Sequence, residues 1–177
     1  MSQVDNNQVV KMGMKIGAIS TLLLFIILYM LAPKFVDEVE LFDRIKLGFS
    51  CLVFPAAFFL ITIIRVGAQR YGNPSENPVD VVASSNSMEI DLRVLSNTHE
   101  QLVIFTLNTL ALSVLLPYTY LSLLPIYSAL FVVGRILFWV AYKHNVLWRA
   151  PGFAMGIMPA VVGISYCCLA ILYQVFF

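Results

Sequence analysis

Charge is scarce in this chain. Asp, Glu, Lys and Arg make up 12% of its 177 residues, about half the share of a soluble domain. The shortage excludes an ordinary soluble fold, and the eleven bases nearly cancel the ten acids. No basic run is long enough to engage a nucleic acid. Cysteine is also sparse. Cys51, Cys167 and Cys168 are odd in number and lie in apolar segments, which excludes a disulfide framework, and no CxxC or His/Cys spacing suggests a metal. The two histidines, His99 and His144, lack the neighbours of a metal site or a Ser-His-Asp triad. The glycines form no phosphate loop. Gly152, Gly156 and Gly163 fall in the last apolar run, where they suit close helix packing. A cleavable leader is not expected either. The apolar core from Ile16 to Ala32 outlasts a typical h-region of about 7–15 residues and has no small-residue cleavage site.

What is abundant is apolar surface: 60% of the residues are hydrophobic and the mean hydropathy is +0.85. Apolar runs at about 12–32, 47–66, 94–116, 119–142 and 152–176 are each near the ~20 residues that cross a hydrocarbon core. The expected fold is an all-α integral membrane protein of five spans, with no room for a soluble domain. Pro33 and Pro117 end two spans and Pro55 lies inside the second. The only long polar segment, Gly67–Asp91 with its YGNPSENPVD, reads as turns.

Five spans put the N-terminus and the loops at 67–91 and 143–150 on one side, with Lys11, Lys15, Arg65, Arg70, Arg93, Lys143 and Arg149. The other side has Lys34, Arg44 and Lys46 among Asp37, Glu38, Glu40 and Asp43. The imbalance predicts a cytoplasmic N-terminus.

Within the third span, RVLSNTHEQLVIFTLN carries Arg93, Asn97, Glu100, Gln101 and Asn108. On a helix these lie close to one stripe, three or four residues apart. A charged side chain at the bilayer centre costs roughly 2.5–3.5 kcal/mol on insertion scales, so the stripe must face protein, a water-filled cavity or a polar ligand. Arg135 lies two turns, about 10 Å, inside the cytoplasmic end of the fourth span. Three readings of it stay open: snorkelling to headgroups, a structural pair with Glu100, or contact with an anionic ligand. Arg65, Arg93, Arg135 and Arg149 gather at the same boundary against one acid, Glu100. That surplus suits a ligand with carboxylates, which planar guanidiniums grip in pairs. Asn97 and Gln101 would add amide hydrogen bonds, and Tyr142, seven residues from both Arg135 and Arg149, can share the helix face of Arg135.

Arg93-x-x-x-Asn97-x-x-Glu100 at the start of a span resembles the RxxxNxxE motif of the MAPEG family, the membrane-associated proteins in eicosanoid and glutathione metabolism. Arg65 with the following YGNPSEN resembles the end of that family's first helix and its cytoplasmic loop. Arg135, Tyr142 and Arg149 resemble its basic and tyrosine positions on the third helix and at the start of the fourth. The resemblance covers roughly 47–177, so it implies a four-helix MAPEG-like domain there, preceded by an N-terminal segment, 1–46, with one extra transmembrane helix. It further implies a homotrimer with sites between subunits, and glutathione as cosubstrate. Arg65, Arg93, Asn97, Glu100, Arg135 and Tyr142 are the implied binding residues. Arg149 is the implied catalytic residue, a cation that favours the thiolate. The implied activity is a glutathione transferase or peroxidase acting on lipophilic electrophiles or lipid hydroperoxides. The implied membrane is the endoplasmic reticulum or Golgi of a eukaryote, or a bacterial inner membrane. The extra span and the stretch LLPIYSALFVVGRILFWVAY are similar to mattrin-like members. With Phe138, Leu95 and Gln101 at departures from the family pattern, they suggest a second reading, a non-catalytic protein that binds lipid or a membrane-protein partner.

Overall fold

The computed structural model describes residues 3–73, 85–144 and 146–176. Six α-helices account for nearly all of them: α1 (Gln3–Leu31), α2 (Leu41–Ser50), α3 (Val53–Gly72), α4 (Asn86–Leu115), α5 (Leu123–His144) and α6 (Ala150–Phe176). Among the described residues, four stretches are long and apolar enough to cross a membrane: 7–31, 41–72, 118–144 and 150–176. Helix α4 is less apolar because of its polar stripe, yet it runs through the middle of the bundle and packs on α2, α3, α5 and α6. Its inner face buries Thr98, Gln101, Asn108 and Thr109 among the helices. The expected all-α membrane bundle with one additional N-terminal helix is the fold observed.

The helix ends differ from the expected spans. The second span begins at Leu41 rather than 47, breaks at Cys51–Leu52 and continues to Gly72. Pro55 accounts for the break, since it has no N–H to give to the carbonyl four residues earlier. That carbonyl belongs to Cys51, and the Ser128 hydroxyl of α5 donates to it at 2.7 Å. The polar segment 67–91 is also shorter than expected, because α3 runs on to Gly72 and α4 starts at Asn86. Ser85 caps α4, its hydroxyl accepting from the Met88 N–H at 3.2 Å, which satisfies one of the free donors of the first turn. Most of YGNPSENPVD, residues 74–80, lies outside the described residues.

At the far end of α4 the carbonyls of Ser113, Val114 and Leu116 accept from the Arg44 guanidinium of α2. A cation is well placed at a helix C-terminus, where carbonyls lack partners. The core between α4 and α5 is aromatic, with the Phe105 ring 4.6 Å from Tyr127 and 4.7 Å from Phe131. Helices α5 and α6 approach closely because glycines face each other. A Cβ at Gly134 would meet the Gly152 carbonyl at 3.1 Å, and one at Gly152 would strike the Phe138 backbone. Asn108 makes the interhelix hydrogen bonds its position suggests, donating to the Tyr127 hydroxyl at 3.4 Å and the Ala160 carbonyl at 3.3 Å.

Candidate functional site

The stripe on α4 opens on a cavity of about 630 Å³ at the end of the bundle that carries the N-terminus of α1. Arg93, Ser96, Asn97 and Glu100 form its α4 wall, at the i, i+3, i+4, i+7 positions of one helix face. Phe138 and Tyr142 of α5 also line the cavity. Arg149 ends a 3-10 turn, Val146–Arg149, and enters the cavity just before α6 begins with Ala150.

Tyr142 is the focus of this wall. Its ring is buried, and its hydroxyl accepts from Arg149 Nη1 at 2.6 Å and from Arg93 Nη1 at 3.4 Å. The Arg149 guanidinium also lies 4.9 Å from the centre of the Tyr142 ring, over its electron-rich face. Arg93 forms an ion pair with Glu89 one turn earlier on α4. Arg149 has no carboxylate partner among the described residues.

Arg135 stands behind the cavity. None of its surface is exposed, so it does not snorkel. Nor does it pair with Glu100, whose carboxylate instead accepts from Ser96 Oγ at 3.4 Å on the exposed side of α4. Arg135 donates through Nη1 to Asn97 Oδ1 at 2.8 Å and through Nη2 to the Gly152 carbonyl at 3.1 Å. Its guanidinium lies 4.8 Å from the Phe138 ring centre. Neutral acceptors and an aromatic face thus hold a cation that has no carboxylate partner among the described residues. Gln101 is buried nearby. Neither of its amide atoms has a hydrogen-bond partner among the described residues, and its oxygen lies where a side chain on Gly156 would be.

The MAPEG family profile matches residues 47–170. The chain belongs to the MAPEG family. No curated protein and no solved structure is significantly similar to it. Membership and the apolar helices together make the chain a multi-pass membrane protein of a family associated with glutathione use. The matched stretch holds all seven arginine, asparagine, glutamate and tyrosine positions singled out in the sequence, from Arg65 to Arg149.

This MAPEG chain gathers five of those seven, Arg93, Asn97, Glu100, Tyr142 and Arg149, around one cavity. Arg135 does not line that cavity but touches two residues that do, Asn97 and Phe138. Arg65 lies elsewhere in the chain: its Nε donates to Asp91 Oδ2 at 3.2 Å. The Asp91 carboxylate is buried and also accepts from Gln69 at 3.0 Å and Trp139 Nε1 at 2.8 Å, with Lys143 Nζ at 3.6 Å. This carboxylate ties α3, α4 and α5 together. Sequence reasoning assigned Asp91 to a loop and missed it. Extending the α4 pattern upstream would have found it, because Asp91 lies seven residues before Thr98 and ten before Gln101, on the buried face. Also missed were Val10 and Met14 of α1, which line the cavity from outside the matched stretch. A second cavity of about 540 Å³, among residues such as Leu22, Phe25, Leu130 and Val162, has no charged side chain in its lining. The polar chemistry therefore belongs to the first.

Proposed function

We propose that this protein is a membrane-embedded, glutathione-dependent transferase or peroxidase acting on lipophilic electrophiles or lipid hydroperoxides. The observation that carries this reading is the Tyr142 hydroxyl held between Arg93 and Arg149 in the wall of a cavity that also presents Asn97 and Glu100. Glutathione is a peptide anion with two carboxylates, one amine and one thiol. Arg93 and Arg149 suit its carboxylates, Glu100 suits the amine, and Asn97 supplies a neutral donor. Arg149, lacking a carboxylate of its own, favours the thiolate over the thiol. In transfer, a sulfur–carbon bond forms as the leaving group departs with its electron pair. In peroxide reduction, two thiols become a disulfide while the hydroperoxide yields an alcohol and water.

The same reading takes the protein as a homotrimer whose N-terminus is cytoplasmic. Residues 47–177 form the catalytic domain and 1–46 an added anchor. Arg65 then serves from a neighbouring subunit or serves structure through Asp91. Glutathione is expected to raise the melting temperature of the purified protein, with thiolate absorbance near neutral pH that disappears in Arg149→Ala. No stabilisation by glutathione at millimolar concentration would sink the proposal.

Two observations favour a second reading. Gln101 keeps two buried amide atoms without partners among the described residues, beside Arg135, and Phe138 brings an apolar ring to the cavity wall. A non-catalytic, mattrin-like MAPEG protein that binds lipid would show a co-purified lipid and no turnover across a broad panel of electrophiles.

A further inference from the structure

The wall of the site is not confined to the family domain. Val10 and Met14 on α1 face the same cavity as Arg93, Tyr142 and Arg149, and Phe153 of α6 adjoins them. The family match begins at residue 47, so this part of the wall belongs to the added helix. Its position is set by close packing rather than by a flexible tether. A Cβ at Gly17 would lie 2.7 Å from the Pro151 Cα and carbonyl oxygen and 2.8 Å from the Ala154 Cβ, and one at Gly13 would lie 3.0 Å from the Ala150 Cβ. Contacts that tight exist only because those residues are glycines, and they seat α1 against the first turn of α6, directly after Arg149. Small residues that let backbones meet are how helices associate in lipid, where apolar surface gives no drive of its own.

The lining of the cavity has a polar and an apolar part. Arg93, Asn97, Glu100, Tyr142 and Arg149 make the first, and Val10, Met14, Phe138 and Phe153 the second. The exposed Lys11 and Lys15 of α1 bracket Met14 in sequence and suit the headgroup level. The apolar part therefore lies where a chain entering from the bilayer would meet a polar reactant. Methionine is unbranched and deformable, so a wall containing Met14 can accept chains of differing shape.

We infer that α1 supplies the acceptor subsite of this protein: Val10 and Met14 form the wall that receives the alkyl chain of a lipophilic co-substrate and sets the chain length accepted. The inference rests on the proposed glutathione chemistry for its reaction, but not for the subsite itself. Val10 and Met14 are specificity-determining residues, and neither touches the polar reactant.

The test uses the full-length protein in lipid nanodiscs with an alkyl-diazirine fatty acid as photoprobe, labelled peptides being mapped by mass spectrometry. Saturable labelling of the α1 peptide around Val10 and Met14, reduced at least fivefold in Val10→Trp/Met14→Trp, is the expected result. Both substitutions add bulk at the α1 wall alone, without bringing a new Cβ against backbone. In a parallel assay with glutathione and α,β-unsaturated aldehydes of four to twelve carbons, the double variant should favour shorter chains by two or more carbons. Its glutathione-induced thermal shift should be unchanged. Labelling of α1 that is unsaturable, absent or equal in the variant would overturn the subsite, as would an unchanged chain-length profile in an active enzyme. Absence of any glutathione effect alongside saturable labelling would sink the enzyme reading and leave the subsite standing.

Discussion

Arg135 holds Asn97 from behind the cavity wall, donating to its Oδ1 at 2.8 Å while remaining wholly buried. A guanidinium has no acceptor, so it fixes which end of the Asn97 amide faces it. The amide oxygen turns inward and the nitrogen is left for the cavity. An arginine that does not line the cavity thus orients a group that does.

Asn97→Ala and Arg135→Met should therefore differ. Removing Asn97 leaves a buried cation short of an acceptor, a defect that approaches the roughly 3–5 kcal/mol of a broken buried pair. Removing the cation leaves only neutral acceptors unpaired, about 1–3 kcal/mol. Thermal unfolding in one detergent should rank Asn97→Ala as the less stable variant, and both should lose the glutathione-induced shift.

Asp91→Asn should destabilise the bundle by about 1–3 kcal/mol, with the partial exposure of Arg65 and Lys143 limiting the loss. The Trp139 indole donates to this carboxylate at 2.8 Å. Its fluorescence, isolated in a Trp148→Phe background, should shift in wavelength. A spectrum and melting curve like those of the parent would show that Asp91 holds nothing together.

Two glycines on packed helices should respond differently to the same change. In Gly152→Ala the new Cβ meets the Phe138 backbone, which cannot yield, so a loss of about 1–3 kcal/mol from overpacking is expected. At Gly67 a Cβ has nothing within 4 Å. Alanine there should stabilise α3 by roughly 0.5–1 kcal/mol. Chemical denaturation of both proteins checks the sign of each.

Arg44→Ala should loosen the far end of α4. Three carbonyls, those of Ser113, Val114 and Leu116, lose their common donor. Hydrogen exchange of the amides in residues 112–116 is expected to accelerate at least tenfold, while exchange around Thr98 stays as it was. Uniform acceleration through α4 would argue against a local cap.

The membrane helices and the polar stripe were legible in the sequence because hydropathy and helical period are local properties. Pro33 and Pro117, which cannot continue a regular helix, marked two span ends. The span ends that flank the polar segment were less clear. Asp91 read as loop because charge usually marks solvent, yet four donors from α3 and α5 make it a buried tie. A structural pair of Glu100 with Arg135 was one of three open readings, because opposite charges on neighbouring spans invite pairing. The i+3 offset on α4 turns Glu100 outward and brings Asn97 to the guanidinium instead.

The sequence by itself determined that the chain is helical and lies in a membrane, and that one helix carries polar groups unsuited to lipid. These follow from transfer free energies and the 3.6-residue repeat, which need no knowledge of neighbours. Only the tertiary structure decided which arginine lines the cavity and which stands behind it, and that α1 closes one side. Those depend on how glycines let α1, α5 and α6 approach one another, a pairwise geometry that no single segment contains.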